Sequence, residues 1–201
     1  MKIYLASGNP HKAEEFRSMR GVGKGEPIDV VSATEIGGMP FVDEDTGSFS
    51  GNSLKKARAL LPLLPEGGWA MADDSGLCVE ALAGAPGVDS AYYAGPEGNA
   101  AENLRKLVAD MEEYHEGERA AEFVCVLTLC GPGGVERQFE GRCAGSLLRR
   151  PRGAGGFGYD PLFVPGGLAK TMAEIPRELK NRIGHRGRAW AACAAWLAAL
   201  G

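Results

Sequence analysis

The sequence predicts an α/β fold in a single domain, residues 1–201. Short apolar, β-forming runs alternate with segments whose apolar residues recur at helical spacing. A Gly-Pro-Gly-Gly run, Gly131–Gly134, lies between two extended segments as a hairpin turn would. The length is that of one domain, about 100–200 residues, and no repeat or long linker interrupts it.

Taken in order, Lys2–Ala6 reads as a first buried strand. Asn9 suits an N-cap and Pro10 a first helical residue, for a helix reaching about Arg20 with Ala13 and Phe16 on its apolar stripe. Gly21–Glu26 reads as a turn, Ile28–Ser32 as a second strand, and Glu35–Gly51 as an acidic loop. A second helix is expected from Asn52 to Leu61, stopped by Pro62. Trp69–Ala72 is a short apolar strand leading into Asp73-Asp74-Ser75-Gly76, with Leu77–Leu82 extended beyond it. Gly84–Gly98 is a Gly/Pro loop. Ala100–Glu113 carries Leu104, Leu107, Val108 and Met111 at helical spacing. Phe123–Leu129 and Val135–Glu140 form the arms of the hairpin, and Gly131, Gly133 and Gly134 read as its turn. Arg149–Asp160 is a second glycine-rich loop, and Pro176–Ile183 and Gly187–Leu200 are the last helices. Trp190, Cys193, Leu197 and Leu200 make a core stripe on the final one.

Composition removes several classes. Glycine accounts for 30 of 201 residues, about twice its average usage. Without a G-X-Y period, and with 44% hydrophobic residues, that excess is neither collagen nor disorder. The glycines belong to turns and close-approach loops. A net charge of −4 opposes broad nucleic-acid or membrane-surface binding. No segment is apolar enough to span a bilayer or serve as a signal peptide. The five cysteines (78, 125, 130, 143 and 193) contain no C-x-x-C pair, so neither zinc nor a disulfide framework is expected. Cys125 and Cys130 should face opposite sides of a strand. A cytoplasmic protein follows.

Four motifs carry chemistry. In Ser7-Gly8-Asn9-Pro10-His11-Lys12 a strand turns into a helix whose first N–H groups suit an anion. Lys12 puts positive charge where helix stability prefers an acid. No Walker A pattern is present. Asp73-Asp74 follows an apolar strand, where adjacent carboxylates call for a cation, and Glu44 in the acidic loop is a further candidate ligand. Gly153–Gly158 formally matches G-x-G-x-x-G, but no strand precedes it and no long helix follows, so the dinucleotide reading fails. Phe157 and Tyr159, set between glycines, suggest instead an aromatic platform for a nucleobase. Lys180–Arg188 is a basic cluster in which Gly184 and Gly187 bracket His185-Arg186, donors suited to a carbonyl oxygen.

Together these blocks resemble the inosine/xanthosine triphosphate pyrophosphatases. The pattern includes T/S-G-N-x-x-K at Ser7–Lys12, D-D-S-G-L at Asp73–Leu77 and A-L-x-G-x-P-G at Ala81–Gly87. It continues with G-G-F-G-Y-D-P at Gly155–Pro161, then T-x-A-E at Thr171–Glu174, Lys180 and H-R-G at His185–Gly187. The resemblance implies an elongated, two-lobed α/β fold around a long central mixed sheet with flanking helices, and an active site in the cleft. It implies a homodimer, Mg²⁺ as cofactor, and hydrolysis of ITP, dITP or XTP to the monophosphate and pyrophosphate. Carried over by position, Ser7, Gly8, Asn9, Pro10, His11, Lys12 and Lys56 hold the triphosphate. Glu44, Asp74 and Asp73 hold Mg²⁺, Asp74 is the general base, and Ser75 touches substrate. Phe157, Gly158, Tyr159, Asp160, Lys180, His185 and Arg186 hold the nucleobase. The sequence departs from the pattern at Gly51 (often an acid), Tyr92 (an Arg) and Gly184 (a Ser). Two other readings stand beside this one: a pyrophosphatase for modified pyrimidine triphosphates, and a nucleic-acid-binding module built on Arg149–Arg152 and Lys180–Arg188.

Overall fold

A computed structural model describes residues 1–19, 22–23 and 26–200. The elements run β1 (Lys2–Ala6), α1 (Pro10–Ser18), β2 (Val22–Gly23), β3 (Glu26–Pro27), β4 (Asp29–Ser32), α2 (Phe49–Leu60) and β5 (Trp69–Val79). They continue with α3 (Ala100–Asp110), β6 (Ala120–Gly131), β7 (Val135–Leu147), β8 (Phe163–Pro165), α4 (Arg177–Ile183) and α5 (His185–Ala198). Six strands form one sheet in the order β4-β1-β5-β6-β7-β8, while β2 and β3 form an antiparallel pair. β1 runs parallel to both β4 and β5. β7 and β8 are antiparallel, and the three-residue link from β6 to β7 is a hairpin, so the sheet is mixed. The α/β class is the expected one.

The chain divides into two compact units. The first comprises Met1–Asp74, Cys125–Gly141 and residues 186 onward. Its core follows the period of two along β1. Ile3 and Leu5 pack with Phe16 of α1 and with Trp190, Cys193 and Leu197 of α5. Tyr4 and Ala6 pack with Ala57 and Leu60 of α2. Cys125 joins the first cluster and Cys130 the second, on opposite faces as expected. Phe16 meets Trp190 edge to face at 6.1 Å, a geometry that adds about 1 kcal/mol beyond area burial.

The second unit comprises Ser75–Val124 and Arg142–His185. Leu107 and Met111 of α3 bury themselves against Leu77, Val79, Phe123, Leu147 and Phe163. Arg119, almost fully buried, donates to the carbonyls of Leu147, Met111, Tyr114 and Leu148. All five cysteines are free thiols, four of them buried. Among the described residues no helix is long and apolar enough to cross a membrane.

Several expectations are corrected. Asp73–Gly76 does not lie beyond the strand: β5 continues through it, because both carboxylates find buried cationic partners and need no solvent. Leu77–Leu82 is extended only to Val79, after which Glu80–Leu82 forms a 3₁₀ turn. A 3₁₀ turn, Ala33–Ile36, opens the acidic loop, and Gly87–Ala91 forms another in the Gly/Pro loop. Helix α2 starts three residues early, at Phe49, because Ser48 caps it by accepting from the Gly51 N–H at 3.1 Å. β7 runs on to Leu147, β8 was not foreseen, and α5 begins at His185. Leu200 is exposed, outside the core stripe. Gly131 closes β6 as a strand residue rather than a turn, leaving room for the Trp69 ring. The expected turn at Gly21–Glu26 and the Arg20 helix end fall largely on residues outside those described.

Candidate active site

The first unit gathers the acidic pair and two lysines. Along β5 successive side chains alternate faces, so Asp73 and Asp74 serve different partners. Asp73 is 1% exposed. Its Oδ1 is ion-paired with Lys12 of α1. Its Oδ2 accepts from Arg186 Nε at 3.0 Å and from the Cys125 thiol at 3.2 Å. Arg186 also donates to Glu15 at 3.0 Å. Burial opposes the Arg186 charge, but Asp73 and Glu15 more than offset it and hold its pKa above the ordinary value. Burial pushes the Cys125 thiol well up, so it stays protonated and donates.

Asp74 faces the other way, toward α2. Lys56 donates to Asp74 Oδ1 at 2.6 Å and to Glu44 Oε2 at 2.8 Å. Asp74 Oδ2 is buried without a hydrogen-bond partner. Burial raises the Asp74 pKa, Lys56 opposes the rise, and neighbouring Glu44 adds to it; the carboxyl is pushed up to about 7. Glu44 is held below the usual range, since its contacts with Asp74 and Lys56 outweigh burial.

The phosphate-binding expectation meets a well-formed helix start. Asn9 caps α1, its Oδ1 accepting from His11 N at 2.9 Å and Lys12 N at 3.4 Å. Ser7 Oγ in turn accepts from Asn9 N at 3.1 Å. A Cβ on Gly8 would meet nothing within 4 Å, so the turn is open to an incoming group. Pro10 occupies the first helical position as expected.

An Mg²⁺ ion fits what is here. Hard oxygen donors suit it, and it typically takes one or two carboxylates together with substrate phosphates. Asp74 and Glu44 are adjacent carboxylates, and the unpartnered Asp74 Oδ2 is a ready donor. Among the described residues no group of three or more His, Cys, Asp or Glu forms a closed cage. Asp73 has both oxygens engaged by protein groups, unlike Asp74.

The second unit holds the glycine-rich loop and α4. Asp160 is 3% exposed; its Oδ2 accepts from Lys180 and from Phe157 N at 2.8 Å. Lys180 Nζ also sits 5.0 Å from the Phe157 ring centroid. Gly156 has φ +68°, and a Cβ there would collide with the Asp160 carboxylate. Its close approach is therefore to protein. Gly158, at φ +60°, faces open space. The two-ring platform is corrected by Tyr159, which packs in the core and donates to Ser90 O at 2.9 Å. Only Phe157 remains partly exposed. His185, 4% exposed, stacks on Phe123 at 4.7 Å and 12°. Gly184 ends α4 by donating to Lys180 O at 2.8 Å. Ser75, the next residue after Asp74, is half-buried in β5.

Sequence reasoning missed Glu15, Cys125 and the residues that tie the acidic loop to α2. Glu15 left one trace: it follows Lys12 by three residues and so neighbours it on the surface of α1.

The fold and these clusters define an α/β protein with an acid–lysine centre in a helix-start framework. The chain belongs to the Ham1 family, whose model matches residues 3–196. It is 53% identical to the dITP/XTP pyrophosphatase of Opitutus terrae over 98% of each chain. It is 42% identical to that of Geobacter sulfurreducens, over 94% of this chain and 93% of that one. Among solved structures it resembles the Staphylococcus aureus Ham1 protein, with a TM-score of 0.85, 33% identity and all of both chains covered. The nucleoside-triphosphatase / dITP/XTP pyrophosphatase of Mycobacterium abscessus matches with a TM-score of 0.72 and 41% identity, over 96% of this chain and 98% of that one.

Proposed function

We propose that this chain hydrolyses the noncanonical purine triphosphates ITP, dITP and XTP to the monophosphate and pyrophosphate, with Mg²⁺ as cofactor. The names of its relatives support the substrate class. The observation that carries the chemistry is Asp74, a buried carboxyl with one oxygen held by Lys56 and the other without a hydrogen-bond partner.

Glu44 and Asp74 would hold the metal. When bound, Mg²⁺ offsets triphosphate charge and eases deprotonation of water. Asp74 takes the proton of the attacking water. The water oxygen bonds to phosphorus, the α–β bridging P–O bond breaks, and pyrophosphate leaves with the electron pair. Ser7, Gly8, Asn9, Pro10 and His11 present backbone and side-chain polar groups to the triphosphate. Lys12 and Lys56 supply cationic charge, which is most of what phosphoryl transfer asks of a protein. Asp73 anchors Lys12 instead of binding metal.

For the nucleobase we assign Phe157 as the stacking face, with Gly158, Asp160, Lys180 and His185 around it and Ser75 touching substrate. Tyr159 supports this loop from the core. Arg186 joins the set on the resemblance, and its bonds to Asp73 and Glu15 add a holding role. Donors at the purine O6 would reject adenine, whose amino group leaves them unpaired. The basic runs that suggested nucleic-acid binding are engaged locally: Arg149 with Glu116, Arg152 with Glu174, Lys180 with Asp160. A cytoplasmic homodimer without membrane or nucleic-acid partners completes the reading.

A substrate panel with pyrophosphate detection tests it. ITP, dITP and XTP should turn over far faster than ATP, GTP or CTP. Preference for a modified pyrimidine triphosphate would overturn the purine assignment.

A further inference from the structure

The loop carrying Glu44 is tied to α2 at three points: the Lys56–Glu44 ion pair, an exposed Lys55–Asp45 ion pair of the kind that contributes little, and one uncharged clasp. Lys56 holds Glu44 itself. Two residues further along, Thr46 makes the uncharged clasp. Its backbone N–H donates to Asn52 Oδ1 at 3.2 Å, and its hydroxyl donates to the same oxygen at 2.7 Å. The Thr46 hydroxyl also accepts from Ser48 N at 3.4 Å. Asn52 is 1% exposed and stands one helical turn before Lys56, so both partners lie on one face of α2. The path from Glu44 to Thr46 is two residues, too short to let one end move freely while the other is fixed.

Gly51 makes this clasp possible. It is in the first turn of α2, and a Cβ on it would collide with the Thr46 hydroxyl and lie 2.6 Å from Thr46 Cβ. Residues 46 and 51 cannot both carry side chains in this arrangement. The departure from the family pattern at Gly51 is thereby explained: the space belongs to Thr46.

We propose that Thr46 is a positioning residue for the metal-binding carboxylates. Through Asn52 it fixes the loop so that Glu44 stands beside Asp74, and Gly51 keeps its place open. This rests on the assignment of Glu44 and Asp74 as Mg²⁺ ligands made above.

The test titrates substrate-free protein with Mg²⁺ alone by calorimetry, with urea unfolding as a control. Thr46→Val keeps the shape and removes the donor; Gly51→Ala pushes Thr46 out of place. Each should weaken Mg²⁺ binding by about fivefold, the worth of one hydrogen bond of about 1 kcal/mol. Thr46→Ser should bind as the wild type does. In a Thr46→Gly background, Gly51→Ala should cost clearly less than it does alone, because the two closest collisions are gone and only Ser48 Oγ, 2.9 Å from the added Cβ, remains. Unchanged Mg²⁺ affinity in Thr46→Val and Gly51→Ala overturns the proposal, including the case where they only unfold at lower urea. A wild type that binds no Mg²⁺ overturns the metal reading and this proposal together.

Discussion

Lys56 Nζ lies 2.6 Å from Asp74 Oδ1, while the other oxygen of that buried carboxylate meets no donor. One half of the group is neutralised by a cation, and the other half is available for a metal or a water. Asp74→Asn keeps the shape and removes the base. Turnover should fall by about 10²–10⁴, with near-unchanged circular dichroism. Activity close to wild type would remove Asp74 from the base role.

Lys12 is paired with Asp73 before any substrate arrives. Lys12→Ala should raise KM about tenfold, the scale of one charge-assisted contact, and change kcat less. Initial-rate measurements over a range of ITP concentrations check this. Equal KM in variant and wild type would contradict the assignment.

Arg186 bridges Asp73 and Glu15, all three buried. Removing the cation takes a charged partner from each of two buried carboxylates, and breaking a buried pair from one side typically costs about 3–5 kcal/mol. Arg186→Met should lower the urea midpoint accordingly. Glu15→Gln should cost less, since Arg186 retains Asp73. A larger loss in Glu15→Gln than in Arg186→Met would reverse this order of importance.

Asp110 gives a pH signature away from the site. Burial opposes its ionisation, but hydrogen bonds from Lys106 and Tyr93 outweigh it and hold the carboxyl below its usual range. A depressed folded pKa contributes stability above the unfolded value, lost as pH falls through the folded one. Asp110→Asn should therefore cost about 1 kcal/mol at pH 7. That gap should close as pH drops below about 3.9, the unfolded value. A gap independent of pH between 7 and 2 would mean the charge is not what stabilises.

The alternation of short strands and periodic helices, from β1 and α1 to the β6–β7 hairpin, was legible because apolar spacing is local. Asn9 and Pro10 announced α1 by cap chemistry alone. Asp73-Asp74 was legible as a functional pair but placed after the strand that in fact runs through it. Nothing local says that Lys12, Arg186 and Lys56 will reach a strand from three other segments to bury it. Tyr159 was misplaced for the same reason: its hydroxyl answers to Ser90, 69 residues away. Glu15 and Arg119 carry no sequence signal strong enough to mark a buried charge. Gly156, in the glycine-rich loop, makes its close approach to the Asp160 carboxylate, a partner that composition alone does not name.

Cleavage at the α–β anhydride is the reaction proposed for the centre built on Asp74, Glu44 and Lys56. The most direct measurement is phosphorus NMR of the products formed from ITP with Mg²⁺. Inosine monophosphate and pyrophosphate in equal amounts are the expected result. Inosine diphosphate with orthophosphate would place the cleavage at the β–γ anhydride and overturn this assignment.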